Sequence, residues 1–181
     1  MATVLILGAT SDMAMAIANK FASEKYDIQL ASRNVSQLNP LVSDLAIRHK
    51  VNCTLHTFDA LDLKSHEAFF QSLTQKPDVS ICVFGYLGEN EKAMMDEEEA
   101  GRIIATNYTG AVSILNVIAR YYISVKQGTI VGISSVAGLR GRQSNYMYGS
   151  AKAGFSAYLS GLRNRLFKEN VHVLTVMPGF V

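Results

Sequence analysis

Short apolar runs alternate along the chain with longer stretches in which apolar residues recur at helical spacing. Several short runs are nearly continuous in Val, Ile and Leu, which is typical of strands that are covered on both faces. The predicted strands span residues 3–7, 28–31, 53–57, 79–83, 129–133 and 171–176. The predicted helices span residues 12–24, 36–49, 65–74, 96–122 and 146–168.

Strands that alternate with helices favour right-handed crossovers, which produce a parallel sheet with helices on both faces. We therefore expect a doubly wound α/β fold, and 181 residues fit one domain that spans residues 1–181. An acidic run occupies residues 96–99. It indicates the first turn of the long helix, where carboxylates complement the positive helix end, and an interaction patch is the alternative.

Composition narrows the functional classes. Apolar residues make up 49% of the chain and charged residues 18%, which indicates a packed core. A net charge of +2 gives no reason to expect a nucleic-acid partner. We expect no membrane span and no signal peptide, because a run of about 18 apolar residues and a basic leader are both missing. The two cysteines are far apart in the chain, which favours reduced thiols and a cytoplasmic location. The four histidines show no ligand spacing, so we expect no metal site.

The first predicted strand runs through a turn directly into the first predicted helix. Such a unit places a pyrophosphate on backbone N–H groups at the helix N-terminus, and Gly8 has no Cβ to obstruct the turn. Thr10 and Ser11 add hydroxyl donors, and an ordinary strand-to-helix turn is the alternative interpretation. The candidate cofactor-binding residues of this turn are Gly8, Thr10, Ser11, Asp12 and Met13.

Asp12 stands where a G-x-x-x-G-x-G pattern has its middle glycine. A carboxylate directed at a pyrophosphate would repel it, so Asp12 lowers the expected cofactor affinity and leaves the fold unaffected. We expect this carboxylate to cap the N–H groups of the first helical turn instead.

The end of the second predicted strand reads Ala31-Ser32-Arg33. It lacks the carboxylate with which NAD-binding domains hold the ribose 2′-hydroxyl. The Arg33 guanidinium suits a 2′-phosphate, and an ordinary exposed arginine is the alternative. Ser32 and Arg33 therefore favour NADP(H) over NAD(H).

Ser135, Tyr148 and Lys152 are the strongest candidates for chemistry. Their spacing places Tyr148 and Lys152 on one face of a helix, whereas Tyr146 has a serine four residues later. A nearby ammonium lowers the pKa of a tyrosine from about 10, which allows the phenol to exchange a proton with a carbonyl as hydride arrives. Ser135 ends a buried strand, where it can donate a hydrogen bond to the substrate oxygen.

With these motifs the whole chain resembles the short-chain dehydrogenase/reductase family of the classical type. The serine at the strand end, the Tyr-x-x-x-Lys pair and the later Pro178-Gly179 recur at these spacings in that family. The resemblance implies a Rossmann-like NAD(P)-binding domain. It also implies that Tyr148 is the general acid/base, that Lys152 lowers its pKa and holds the nicotinamide ribose, and that Ser135 polarises the carbonyl.

The resemblance adds residues that no motif identifies alone. It implies that Asn107 kinks the long helix and holds a water in a proton relay to Lys152. It places Asp59 and Ala60 beside the adenine, and it makes Gly85 the glycine that follows the fourth strand. The further cofactor contacts that it implies are Asp59, Ala60, Gly85, Pro178 and Gly179.

The chain departs from the family at residues 82–85, where Asn-Asn-Ala-Gly becomes Cys-Val-Phe-Gly and the amides that tie neighbouring strands are absent. Two loops around residues 85–88 and 136–150 resemble the decaprenylphosphoryl-2-keto-ribose reductases, which implies a sugar or phosphate-bearing substrate. Arg140 and Arg142 are candidate phosphate contacts, with solvated loop arginines as the alternative.

These patterns predict an oxidoreductase that transfers a hydride between NADP(H) and a ketone or secondary alcohol. A dinucleotide sensor without turnover is the alternative, supported by Asp12 and by the altered residues 82–85. Family members extend further at the C-terminus, so we expect the substrate lid and the last strand to be missing. A third possibility is therefore that the 181-residue chain binds cofactor poorly and reduces nothing. The family also implies a homodimer or homotetramer for the full-length protein.

Overall fold

A computed structural model describes residues 1–179, and six strands in this range form one parallel sheet. The strands are β1 (Thr3–Leu7), β2 (Asp27–Ser32), β3 (Cys53–Thr57), β4 (Val79–Cys82), β5 (Gly128–Ile133) and β6 (Val171–Val176). The α-helices are α1 (Asp12–Ser23), α2 (Asn39–His49), α3 (His66–Ser72), α4 (Asn90–Met95), α5 (Glu97–Ile104), α6 (Gly110–Val125) and α7 (Tyr146–Leu166). The sheet order β3-β2-β1-β4-β5-β6 confirms the predicted doubly wound arrangement.

The first strand shows why the apolar runs are nearly continuous. All five residues of β1 are buried. Leu5 and Leu7 join an apolar cluster with α6 and α7, whereas Val4 and Ile6 join a second cluster with α1 and α2. Side chains alternate between the faces of a strand, so a strand covered on both faces favours apolar residues at most positions.

The predicted long helix at residues 96–122 is wrong as a single element. Asp96 caps α5, because its Oδ1 accepts hydrogen bonds from the N–H groups of Glu98 and Glu99 at 3.0 and 3.4 Å. A π-helical turn at Ala105–Thr109 then separates α5 from α6. Helix α4 precedes Asp96 and was not predicted. The other predicted elements agree with the structure to within three residues at either end.

The π-helical turn has a local cause. The side-chain amide of Asn107 donates a hydrogen bond of 2.9 Å to the carbonyl oxygen of Ile103. In a regular α-helix that carbonyl accepts from the backbone N–H of residue 107, so the side chain competes with the helical ladder. An inserted turn of this kind often marks a functional position.

The order of the strands locates the place where a ligand would bind. The chain winds outward from β1 to β3 in one direction and from β4 to β6 in the other. The crevice beyond the carboxyl ends of β1 and β4 therefore lies at the topological switch point. No helix in residues 1–179 combines the length and apolar character that a membrane crossing requires. Phe180 and Val181 of the predicted domain lie outside the described residues.

Candidate active site

A cavity of about 570 Å³ lies beyond the carboxyl ends of the central strands and brings most of the predicted residues together. The predicted residues that line it are Gly8, Thr10, Ser11, Met13, Ser32, Arg33, Asp59, Ala60, Gly85, Ser135, Tyr148, Lys152, Pro178 and Gly179. Asp12 and Asn107 are not part of its wall. Of the two loop arginines, Arg142 lines the cavity and Arg140 does not.

Gly8 makes the turn after β1 in a backbone conformation that is unfavourable for residues with a Cβ atom. Its φ is +91°, and a Cβ there would lie 2.6 Å from both the Cβ and the backbone nitrogen of Phe84. The N–H of Gly8 donates a hydrogen bond of 2.9 Å to the carbonyl of Ala31, which holds the turn against the end of β2. The requirement for glycine is therefore both conformational and steric.

Ser11, rather than Asp12, caps α1. The Ser11 hydroxyl oxygen accepts a hydrogen bond from the N–H of Ala14 at 3.2 Å. The prediction that the Asp12 carboxylate caps this turn is wrong, because the extended backbone of Ser11 directs the serine side chain over the first turn. Asp12 is the first helical residue, it is exposed, and its carboxylate stays off the cavity wall.

The end of β2 presents two groups that suit the ribose end of a dinucleotide. The Ser32 hydroxyl is buried and has no hydrogen-bond partner within the described residues. Arg33 follows it with an exposed side chain on the same wall. A buried hydroxyl without a partner is costly unless a ligand satisfies it, so the Ser32 hydroxyl is available to a ligand at this wall.

The loop after β3 is held by a histidine that sequence reasoning missed. His66 is fully buried, its Nε2 lies 3.1 Å from the carbonyl oxygen of Asp59, and its Nδ1 lies 2.9 Å from the hydroxyl of Ser113. Burial lowers the pKa of His66, so the neutral ring is favoured. The Asp59 carboxylate accepts from the N–H of Leu61 at 2.9 Å. Nothing in the local sequence distinguishes His66 from an ordinary core residue.

Lys152 approaches Tyr148 from the buried side of α7. The lysine is 3% exposed, and its ammonium donates a hydrogen bond of 3.0 Å to the carbonyl oxygen of Ile133. The same nitrogen lies 5.7 Å from the centroid of the Tyr148 ring. The Ser135 hydroxyl oxygen accepts from the N–H of Ala137 at 3.1 Å, which leaves its own hydrogen free to donate.

The pKa of Tyr148 moves opposite to the predicted direction. Burial raises it, and the Ser135 hydroxyl, which can donate to the phenolate, acts against this increase. The predicted lowering of this pKa by Lys152 is not the dominant effect, and the ammonium donates its hydrogen bond to the Ile133 carbonyl. Burial lowers the pKa of Lys152 itself. Tyr148 is therefore a protonated phenol at neutral pH.

Asn107 acts on the site through the loop after β4. Its Oδ1 accepts a hydrogen bond from the N–H of Tyr86 at 3.1 Å, and its Nδ2 donates one of 2.6 Å to the carbonyl of Tyr86. Gly85 allows this approach, because a Cβ there would lie 2.9 Å from Asn107 Oδ1 and 3.5 Å from Lys152 Nζ. The Asn107 amide thus ties down the segment that follows the altered residues 82–85.

Tyr86 also supports an arginine that sequence reasoning missed. Its hydroxyl donates a hydrogen bond of 2.9 Å to Glu99, which raises the pKa of Tyr86 and lowers that of Glu99. The Arg102 guanidinium lies 4.3 Å from the centroid of the Tyr86 ring, and Arg102 lines the cavity. The sequence contained one indication of this role, because Arg102 lies on the same predicted helix as Asn107, slightly more than one turn before it.

Both cysteines in the described residues are free. Burial raises the pKa of Cys53 to about 11 and that of Cys82 to about 12, so both thiols are protonated at neutral pH. Among residues 1–179, no three His, Cys, Asp or Glu side chains are grouped in a way that could hold a metal ion.

Comparison with known proteins identifies the family to which this chain belongs. Residues 2–181 match the short chain dehydrogenase family. The chain is 35% identical over 183 residues to an uncharacterized oxidoreductase of Mycobacterium tuberculosis (strain ATCC 25618 / H37Rv), and the match covers 99% of this chain and 73% of that protein. The chain therefore belongs to the short-chain dehydrogenase/reductase family. It is an NAD(P)-dependent oxidoreductase.

More distant relatives extend the comparison. An NADP-dependent 3-hydroxy acid dehydrogenase of Schizosaccharomyces pombe (strain 972 / ATCC 24843) is 25% identical over 99% of this chain and 71% of its own length. A short-chain dehydrogenase from Sphingobium yanoikuyae in complex with NADPH superposes with a TM-score of 0.91 at 25% identity, over 99% of this chain and 71% of that one. An NAD⁺-bound xylitol dehydrogenase shares the fold, with a TM-score of 0.90 at 24% identity over 99% and 70% of the two chains. The cofactor class is a nicotinamide dinucleotide.

Proposed function

We propose that the chain catalyses reversible hydride transfer between NADP(H) and a ketone or secondary alcohol. The observation that carries this proposal is the convergence of Ser135, Tyr148 and Lys152 on one cavity whose wall also includes Gly8 and Arg33. A proton donor, a hydrogen-bond donor and an ammonium thereby share a cavity with the phosphate turn, which is the combination that carbonyl reduction requires.

The bound cofactor supplies the hydride in reduction and accepts it in oxidation. The Tyr148 phenol, which burial keeps protonated, donates its proton to the carbonyl oxygen of the substrate. The Ser135 hydroxyl donates a hydrogen bond to the same oxygen and stabilises the negative charge that develops there. In the oxidation direction Tyr148 takes the proton back from the alcohol.

Lys152 and Asn107 support this proton transfer in different ways. The Lys152 ammonium holds the nicotinamide ribose and stabilises the Tyr148 phenolate when the proton has left. Asn107 is a positioning residue that acts through the backbone of Tyr86. A water relay from Asn107 to Lys152 remains a prediction from the family resemblance.

The preference for NADP(H) is part of the proposal. The unpartnered Ser32 hydroxyl and the exposed Arg33 guanidinium support a 2′-phosphate at the end of β2. The further cofactor contacts in the proposal are Thr10, Ser11, Met13, Asp59, Ala60, Gly85, Pro178 and Gly179. A keto-sugar of the decaprenylphosphoryl-2-keto-ribose type is one member of the proposed substrate class. A cytoplasmic homodimer or homotetramer also remains a proposal.

The experiment that tests this function follows NADPH consumption at 340 nm with a panel of ketones, aldehydes and keto-sugars, and NADP⁺ reduction with the matching alcohols. We expect Tyr148→Phe to lower turnover at least about a hundredfold, because it removes the proton donor. Tyr146→Phe is the matched control, since Tyr146 lies on the same helix, is exposed and is absent from the cavity wall. Near-normal turnover of Tyr148→Phe would refute the mechanism.

The alternative function is dinucleotide sensing without turnover, which the replacement of the family's Asn-Asn-Ala-Gly at residues 82–85 favours. The same assay separates the two functions. A wild-type chain that binds NADPH and reduces no member of the panel would favour the sensor. Turnover that depends on the Tyr148 hydroxyl identifies the reductase.

A further inference from the structure

We propose that the substrate carries an anionic group that Arg102 and Arg142 bind, an inference that rests on the proposed function. Both side chains line the cavity that contains Tyr148 and Ser135. Arg102 comes from α5, whereas Arg142 comes from the loop between β5 and α7. Helix α5 packs against α7, so tertiary contact brings these two segments to the same part of the molecule.

Arg102 rests on an anchored aromatic ring. Its guanidinium lies 4.3 Å from the centroid of Tyr86, whose hydroxyl donates to Glu99 at 2.9 Å and whose backbone is held from both sides by Asn107. The same Glu99 oxygen accepts a hydrogen bond of 3.1 Å from the N–H of Glu89. Glu99 thus makes its hydrogen bonds with neutral donors, and Arg102 acts on it through charge without an ion-pair contact. The ring restricts where the guanidinium can lie, which reduces the entropy lost when a ligand binds.

Arg142 belongs to a loop that α4 holds in place. The Asn90 side chain donates a hydrogen bond of 3.4 Å to the carbonyl of Gln143 and accepts one of 3.2 Å from the N–H of Met147. The carbonyl of Arg142 itself accepts from the N–H of Asn145 at 3.2 Å. The backbone on the C-terminal side of Arg142 is therefore fixed next to the start of α7, which carries Tyr148.

The charges around the cavity favour an anion at this end. Within the described residues, Arg102 and Arg142 take part in none of the ion pairs. Asp59 is the acidic residue of the described wall, and it follows β3. In the sheet order β3 is three strand spacings from β4, or about 14 Å, and four spacings from β5, or about 19 Å. The cavity wall therefore includes two arginines that have no ion-pair partner among the described residues.

Guanidinium groups bind carboxylates and phosphates through paired N–H donors, so either oxyanion fits this arrangement. The substrate class that follows is a ketone or secondary alcohol that bears a carboxylate or phosphate near the reacting carbon. The role of Arg33 differs, because it lies at the end of β2, beside Ser32 and on the ribose side of the cavity.

The test compares matched substrate pairs with NADPH as reductant. The carboxylate pair is acetoacetate and methyl acetoacetate, and the phosphate pair is dihydroxyacetone phosphate and dihydroxyacetone. We expect wild-type kcat/KM to be at least about tenfold higher for the anionic member of one pair, and that pair identifies the anion. Arg102→Gln and Arg142→Gln should each reduce this preference severalfold toward equality, mainly through KM, because each removes charge-assisted hydrogen bonds.

Arg140→Gln is the matched control, since Arg140 lies two residues before Arg142 in the same loop and is not part of the cavity wall. Equal kcat/KM for both members of both pairs, or an equal loss of preference in Arg140→Gln, would overturn the inference. If the wild-type chain reduces neither pair, calorimetric titration of the NADP⁺-saturated protein with 3-hydroxybutyrate and glycerol 3-phosphate tests whether the anion site exists. Binding that Arg102→Gln and Arg142→Gln weaken and Arg140→Gln does not would retain the anion site even if the proposed function fails, and no binding would reject it.

Discussion

Asn107 and Tyr86 hold each other through two hydrogen bonds, in which the asparagine amide accepts from the Tyr86 N–H at 3.1 Å and donates to the Tyr86 carbonyl at 2.6 Å. This paired contact joins the π-helical turn to the loop after β4. Gly85 lies between the contact and the Lys152 ammonium, since a Cβ on Gly85 would approach both Asn107 and Lys152. Asn107 is thereby connected to the cavity although it does not line it.

Replacement of Asn107 should destabilise the fold. Asn107→Ala removes three hydrogen bonds from a side chain that is 1% exposed and leaves the Tyr86 backbone groups without partners. We expect a loss of about 2–3 kcal/mol in the free energy of unfolding, measured by urea denaturation. Asn116→Ala is the control, because Asn116 is exposed and accepts one hydrogen bond from Tyr158, and it should change stability by less than about 0.5 kcal/mol. Equal effects of the two substitutions would show that the contact with Tyr86 contributes no stability.

Glycine at position 8 should be required, whereas glycine at position 101 should not. Gly8→Ala places a methyl group against Phe84 at a φ of +91°, so we expect it to cost at least about 1–3 kcal/mol and to weaken NADPH binding. Gly101→Ala lies within α5 with no atom within 4 Å of the added methyl, and it should stabilise the chain by about 0.5–1 kcal/mol. Chemical denaturation and NADPH titration measure both effects. A tolerated alanine at position 8 would mean that the turn rearranges.

Arg33 should discriminate between the two nicotinamide dinucleotides. Arg33→Ala removes the guanidinium proposed to pair with the 2′-phosphate, so we expect the Kd for NADPH to rise about tenfold or more while the Kd for NADH changes little. Fluorescence titration with each reduced cofactor gives both constants. An equal loss for NADH and NADPH would assign Arg33 to a group that both cofactors share.

The ionisation of Tyr148 can be measured directly. Since burial raises its pKa, the phenol should be protonated below the ordinary tyrosine value of about 10 and should ionise above it. We expect the difference between the 295 nm titrations of wild type and Tyr148→Phe to appear above pH 10. A raised pKa leaves the proton donor for reduction in place throughout the neutral range. Ionisation near pH 7 would instead support the lowering by Lys152 that the Tyr–Lys spacing predicts.

The sequence by itself determined the six strands, most of the helices and their order along the chain. Apolar runs such as β1 are continuous because both faces of the strand are covered, and this requirement is visible in the residues. The four-residue spacing of Tyr148 and Lys152 fixes their relation on α7, since a helix of 3.6 residues per turn allows no other. These properties depend on near neighbours in the chain.

Only the tertiary structure decided how distant segments meet. The contact of Asn107 with Tyr86 and the position of Arg102 over the Tyr86 ring depend on which loops pack together. The same holds for the direction in which the pKa of Tyr148 moves, because loss of solvent around the ring outweighs the opposing influence of the Ser135 hydroxyl. Burial and hydrogen-bond partners arise when the whole chain has folded, and a local residue pattern does not contain them.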